Sequence, residues 1–169
     1  MSHGDIRQFA KDFGTAVETA YNAGFDSVEI HAGHGYLISQ FLSPYTNHRR
    51  DEFGGSLQNR MRFMNMCLEE VMEAARKRGM GVLVKHNMED GFKRGIQIPE
   101  SIEIAKQIET FGVDGIVLSS GFVSKAPMAV MRGRIPTKTM GYYMGWNEWL
   151  QKIVVSLFGQ WLIKQYDFE

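Results

Sequence analysis

Cysteine is nearly absent from this chain. Of its 169 residues only Cys67 is a cysteine, which excludes an intramolecular disulfide and any cysteine-rich metal or iron–sulfur site. Cys67 also lies in an apolar stretch with helical spacing. Because so little cysteine is typical of proteins in reducing compartments, we expect a cytoplasmic location.

An excess of charge of one sign is also missing. The 19 Lys and Arg balance the 19 Asp and Glu, and no long run carries a single sign. This balance argues against binding to nucleic acid or to an anionic membrane surface. The most apolar late segment, 149–163, is interrupted by polar residues and is shorter than the roughly 20 apolar residues of a membrane span. We therefore expect a small-molecule partner, and we predict that 149–163 is a helix covering an interface or the mouth of a site.

What the chain does have is a regular alternation of helices and strands. Such alternation predicts a parallel α/β sheet with helical crossovers, either doubly wound or a sector of a barrel. The chain is short for a complete (β/α)8 barrel, which takes about 250 residues. Apolar spacing and β-branched runs place strands at 27–31, 81–85 and 115–119, and main helices at about 5–23, at 56–78 and from Pro99 onward.

Polar side chains follow the predicted strands at the ends where parallel α/β proteins place their chemistry. His31 and His34 leave the first strand, and Tyr36 follows them. Two imidazoles and a phenol can bind an oxygen that gains negative charge and can protonate a carbon. An equally acceptable interpretation is that one histidine caps the turn and the other bonds to the backbone. A third interpretation is a zinc site, with His31, His34 and either Glu29 or His48 as ligands.

Lys85 ends an otherwise apolar strand, and Ser119 to Gly121 end the next one. Burying an ammonium group at a strand end is costly unless an anion or an electron-rich ligand receives it. We therefore favour a ligand contact of Lys85 over a structural salt bridge.

Two blocks of sequence carry a more specific signal. Residues 24–44 contain Gly-Phe-Asp-Ser-Val-Glu-Ile-His-Ala-Gly-His-Gly-Tyr-Leu and then Gln-Phe-Leu-Ser-Pro, and residues 47–63 read Asn-His-Arg-Arg-Asp-Glu-Phe-Gly-Gly-Ser-Leu-Gln-Asn-Arg-Met-Arg-Phe. Together with 82–85, 89–92 and 115–119, these blocks resemble the Old Yellow Enzyme family of NADH:flavin oxidoreductases, the FMN-dependent ene-reductases.

The resemblance implies a TIM barrel of which this chain supplies the fourth, fifth and sixth βα units. It implies FMN as cofactor and NAD(P)H as reductant, with an activated alkene such as an α,β-unsaturated carbonyl as substrate. His31 and His34 then bind the carbonyl or nitro oxygen, and Tyr36 protonates the α-carbon. Lys85 then lies beside the flavin N1 and C2 carbonyl, where many members carry arginine. Glu52, Arg60, Arg62 and Asp90 are interpreted as structural contacts.

The chain departs from that family in extent. No segment corresponds to the family's first strands, which contact the flavin ring, or to its last two, which bind the FMN phosphate. We therefore expect an internal fragment that does not hold FMN tightly on its own and whose uncovered strand edges favour self-association. Residues 1–122 are predicted to be a partial barrel domain and 123–169 a helical extension or insertion of it. A non-catalytic remnant or interaction piece and, less favoured, a metal-dependent hydrolase are the alternative functions.

Overall fold

The computed structural model describes residues 1–130, 147–154 and 156. The order of elements predicted for 1–122 is confirmed, whereas most of the extension predicted for 123–169 lies outside the described residues. The elements are α1 (His3–Asn22), β1 (Ser27–Ala32), α2 (Leu37–Leu42), α3 (Leu57–Arg78), β2 (Gly81–Asn87), α4 (Ile98–Glu109), β3 (Gly115–Ser119), α5 (Pro127–Val130) and α6 (Glu148–Val154).

The three strands form one parallel sheet in the order β1-β2-β3. His31 is in register with Lys85, and Lys85 is in register with Val117. The register also pairs Asn87 with Ser119, so β2 and β3 end side by side. The chemistry-bearing residues that close the strands are therefore collected at the carboxyl edge of the sheet, as expected for parallel α/β architecture.

The helices cover one face of this sheet. Along β2 the even-numbered residues Val82, Val84 and His86 are buried, and His86 contacts Ser101 of α4. On the opposite face Leu83 and Lys85 are only half-buried, and Asn87 at the strand end is buried. A doubly wound sheet carries helices on both faces, whereas a barrel keeps them outside. The architecture is therefore a sector of a TIM (β/α)8 barrel, and the odd-numbered side chains form its inner face.

Local signals set the ends of the main helices. Ser2 and Asp5 form a reciprocal capping box at the start of α1, and the Ser56 hydroxyl caps α3. Gly79 follows α3 at φ 67°, the left-handed conformation that glycine adopts without steric cost. These residues explain why the helix predicted at 56–78 is confirmed almost to the residue.

The core lies between α1, α3 and the even-numbered face of the sheet. Phe63, Met64 and Leu68 of α3 are fully buried there, together with Ile6 of α1. Cys67 is buried among them, and this burial raises the pKa of its thiol far above the ordinary value, so the thiolate is not formed near neutral pH. No helix in the described ranges combines the length and the apolar composition that crossing a membrane requires.

Apolar surface remains on the outer side of α4 and β3. Ile98, Ile102 and Leu118 are about half exposed. These residues lie next to the uncovered sheet edge. Self-association through that edge stays a prediction.

The long loop between α2 and α3 is ordered by its own polar side chains. The Asn47 amide donates to the carbonyls of Phe41 and Phe53, both at 2.7 Å, and Asp51 accepts from the Phe53 N–H. Arg49 pairs with Asp51. The second block of family-like sequence therefore encodes a self-bonded loop that fixes α2 against α3.

His86 makes the stability of the fold depend on pH. Burial lowers the pKa of its imidazole to about 4 from 6.5, so the folded protein keeps it neutral where the unfolded chain takes up a proton. Stability is therefore complete above pH 6.5 and falls by about 3 kcal/mol as the pH approaches 4. Urea unfolding at pH 7 and pH 4.5 should show a clearly smaller loss for His86→Gln than for the wild type. Equal losses would refute this role of His86.

Candidate active site

The turn after β1 places two histidines and a tyrosine at the carboxyl edge of the sheet. His31 is the fifth residue of β1, and its side chain points to the inner face. His34 has φ 60° and Gly35 φ 83°, so the chain reverses sharply before Tyr36 begins α2 as its N-cap. A Cβ on Gly35 would lie 2.4 Å from the ring of Phe122, so only glycine fits this close approach.

The rings of His31, His34 and Tyr36 form one cluster. The centroids of His31 and His34 are 4.8 Å apart in an edge-to-face arrangement, and those of His31 and Tyr36 are 5.0 Å apart. The histidines are half-buried and Tyr36 is 56% exposed. The phenol therefore lies at the open mouth of the cluster, where a ligand can reach it.

Both histidines are neutral hydrogen-bond donors near pH 7. Burial lowers the pKa of His31, and the neighbouring His34 and the Lys85 ammonium lower it further, against the opposing charge of Glu29. Burial and Lys85 also lower the pKa of His34. A neutral imidazole carries one N–H, which can stabilise a developing oxyanion without itself titrating in this range.

Ser119, at the end of β3, contacts the ring of His34. Its Oγ lies 2.6 Å from His34 Nε2. Because a hydroxyl both donates and accepts, this contact couples the tautomer of His34 to the orientation of the serine hydroxyl. Ser119 belongs to the strand-end segment that the sequence singled out, and the structure brings it to the histidine cluster.

Lys85 lies on the inner face, but it is not free of ionic partners. Its Nζ is 2.7 Å from Glu29 Oε1, and the two side chains are 29% and 35% exposed. The structural salt bridge, the less favoured of the two sequence predictions, is therefore present. Glu29 points away from Val28 and Ile30 as predicted, and that same alternation puts it on the face of Lys85. Whether Lys85 also contacts a cofactor stays a prediction.

Asn87 also lies at this edge, although the sequence did not indicate it as a site residue. The second strand was predicted to end at Lys85, but it continues to Asn87, whose side chain is fully buried beside His34. The polar sequence after Lys85 obscured the true strand end. The structural interpretations of Asp90 and Arg60 are confirmed, since both are buried in hydrogen-bond networks.

A zinc site at the histidines finds no support in the part of the chain that the structure describes. There, no three His, Cys, Asp or Glu side chains are placed to hold one metal ion. Glu29 is instead engaged with Lys85.

Fold and site together define the class of protein: a sector of a TIM barrel whose carboxyl edge carries imidazole and phenol donors beside an inward-facing cation. The chain belongs to the NADH:flavin oxidoreductase / NADH oxidase family, whose model matches residues 1–152. The resemblance to the Old Yellow Enzyme family is thereby confirmed. The cofactor of this family is FMN, and its reductant is NAD(P)H.

Individual relatives agree with this assignment. The chain is 40% identical over 133 residues to the NADPH dehydrogenase of Bacillus subtilis (strain 168), covering 79% of this chain and 38% of that protein. It is 34% identical to the cinnamate reductase of Clostridium sporogenes, covering 89% of this chain and 24% of the other. The solved old yellow enzyme homologue from Zymomonas mobilis superimposes with a TM-score of 0.63 at 31% identity, covering 73% of this chain and 35% of that one. The chain thus spans about two fifths or less of the length of these relatives.

Proposed function

We propose that this chain carries the oxygen-binding and proton-donating side of an FMN-dependent site that reduces activated C=C bonds with NAD(P)H. The observation that carries the proposal is the cluster of His31, His34 and Tyr36 at the carboxyl edge of a barrel sector. A relative named cinnamate reductase supports this class of substrate, because cinnamate has a double bond conjugated with a carboxylate.

The two histidines bind the oxygen of the activating group. Each offers a neutral N–H, and the ring centroids lie 4.8 Å apart, close enough for both rings to approach one carbonyl oxygen. Hydrogen bonds to that oxygen strengthen as it becomes an enolate, which withdraws electrons from the double bond and makes the β-carbon electrophilic. Ser119 is the existing partner of His34 Nε2, so this hydroxyl either yields to the substrate oxygen or leaves Nδ1 to bind it.

Tyr36 supplies the proton that completes the reduction. Its ring centroid is 5.0 Å from that of His31, and the side chain is exposed, so a ligand bound at the histidines can reach it. A phenol is a weak acid that can donate its proton to the basic α-carbon of an enolate.

The inner face fits one side of a flavin. Lys85 provides a cation there, in register with His31 on one side and Val117 on the other, so charge and apolar surface are adjacent. That combination suits the electron-rich pyrimidine edge of a flat ring, and we propose Lys85 as a residue that holds it. When bound and reduced, FMN supplies the hydride that adds to the β-carbon.

Tyr36→Phe tests whether Tyr36 donates the proton while the histidines bind the oxygen. In the presence of excess FMN and NADPH, the variant is expected to reduce 2-cyclohexenone at least about a hundredfold more slowly, because general acid catalysis is lost. Its affinity for a phenolate, which imitates the enolate oxygen, should be unchanged, because the histidines remain. Tyr21→Phe, on the surface of α1, is the matched control. An unchanged rate for Tyr36→Phe would refute the proton-donor role.

Glu29→Gln tests the role of Lys85. Removing the carboxylate frees the ammonium for a flavin, so the affinity for FMN should rise about fivefold, the equivalent of a partly exposed ion pair of about 1 kcal/mol. Fluorescence titration of FMN measures this change. Glu18→Gln breaks the distant pair with Arg78 and serves as the control. If Lys85→Met leaves FMN affinity unaltered, Lys85 does not hold the flavin.

A further inference from the structure

The side chain of Asn87 lies directly beneath the turn that carries His34. Its Oδ1 accepts a hydrogen bond from the His34 backbone N–H at 3.2 Å, although the two residues are 53 positions apart in the chain. Among the described residues, His34 is the only non-glycine residue with a positive φ. A left-handed conformation in such a residue persists only where the surroundings hold it. Asn87 is therefore placed where such support is needed.

The amide of Asn87 can take only one orientation. Its Nδ2 donates to Asp90 Oδ1 at 3.0 Å and to the Gly121 carbonyl at 2.8 Å, so both N–H groups are used. Rotating the amide by 180° would turn its oxygen toward these two acceptors and its NH2 toward the His34 N–H. Asp90 and Gly121 thus ensure that Oδ1 faces His34.

Asp90 is itself held rigidly. Its Oδ2 accepts from the Ser43 hydroxyl at 2.7 Å and from the Ile96 N–H at 2.9 Å. Asp90 and Asn87 are both fully buried, so water does not compete for these bonds. The network joins the segment after α2, the loop before α4 and the end of β3 into one support for the turn.

Gly33 packs closely against the side-chain amide of Asn87. A Cβ at Gly33 would lie 2.6 Å from Asn87 Oδ1, inside van der Waals contact. The φ of Gly33 is not in the left-handed region, so its missing side chain makes room for the Asn87 amide and does not serve a turn conformation.

We propose that Asn87 is the positioning residue of His34: its locked amide fixes the left-handed backbone of His34 and so places the imidazole next to His31 and Ser119. What His34 then does with a ligand rests on the function proposed above. The support itself does not, because it consists of contacts present without flavin or substrate.

NMR of the 169-residue chain labelled at histidine tests the positioning role of Asn87. The measurements are amide hydrogen exchange at His34 and the pH titration of its ring nitrogens. In Asn87→Ala, exchange at the His34 amide should become at least about tenfold faster, because its acceptor is lost. The titration and tautomer signals of the His34 ring should shift, while those of the His3 ring, which bonds to Asp51 outside the Asn87 network, stay in place. Asn65→Ala, a partly buried asparagine of α3, is the control and should change neither. Unchanged His34 signals in folded Asn87→Ala would overturn the proposal, as would equal shifts at His34 and His3.

Gly33→Ala provides a second route to the same site. Its Cβ should displace the amide of Asn87 and move the His34 signals in the same direction as Asn87→Ala does. In the Asn87→Ala background the added methyl meets no amide, so the effect of Gly33→Ala should largely disappear. Additive effects of the two substitutions would contradict the proposal. If Asn87→Ala does not fold, unaltered His34 signals in Gly33→Ala would by themselves contradict it. The NMR measurements need no cofactor. The positioning role of Asn87 is therefore tested independently of whether the chain reduces an enone.

Discussion

Replacing both His31 and His34 by alanine is expected to lower FMN-dependent reduction of an enone by about a thousandfold or more. Each imidazole offers an N–H to the same oxygen, and removing both leaves the developing enolate without a donor. The measurement is the rate of saturated ketone formation with excess FMN and NADPH. Each single variant should lose less than the double variant, because the remaining ring still binds the oxygen.

The matched control for this prediction is His48→Ala. His48 is an exposed histidine on the loop before α3, outside the cluster of His31, His34 and Tyr36. It should retain wild-type rates. A double variant that keeps its fold, binds FMN like the wild type and reduces the enone at an undiminished rate would remove the histidines from the mechanism.

The substitution Arg60→Met is expected to lower the free energy of unfolding by about 3 kcal/mol or more. Arg60 is 4% exposed. Its guanidinium donates to the carbonyls of Leu42 and Gly55 and pairs with Glu100 of α4. Without it, a buried carbonyl at the end of α2 loses its donor and the contact between α3 and α4 loses its ion pair. Urea denaturation followed by circular dichroism measures the loss.

Arg62→Met is the control for that change, two residues along the same helix. Arg62 is exposed and bonds to the Glu52 carbonyl and to Asn59. Its removal should alter stability by no more than about 0.5 kcal/mol. Similar losses for the two arginines would mean that the buried network of Arg60 contributes little.

The fold was largely predictable from sequence because its signals are local. Ser56 and Gly79 bound α3, and the β-branched runs of β1 and β2 lie between helices of regular apolar spacing. The choice between a doubly wound sheet and a barrel sector was not predictable from periodicity. It depends on which face of the sheet the helices cover, and helical spacing does not specify the side on which a crossover packs.

The candidate site was predictable where its residues follow one another in the chain. His31, His34 and Tyr36 lie on one turn, so their proximity follows from sequence distance alone. The pairing of Lys85 with Glu29 and the contact of Asn87 with His34 depend on strand register, which joins residues more than 50 positions apart. The sequence predicted that β2 ends at Lys85, two residues too early, and Asn87 was therefore not recognised as a site residue.

We propose that this chain carries the substrate side of a flavin ene-reductase site. The most direct test of this proposal is the visible spectrum of the chain with excess FMN under anaerobic conditions, reduced with NADPH and then mixed with 2-cyclohexenone. We expect that the flavin band bleaches and that the enone restores it, slowly for the double variant of His31 and His34 and fast for the wild type. Equal rates of reoxidation in the two proteins, with equal occupancy by FMN, would contradict it.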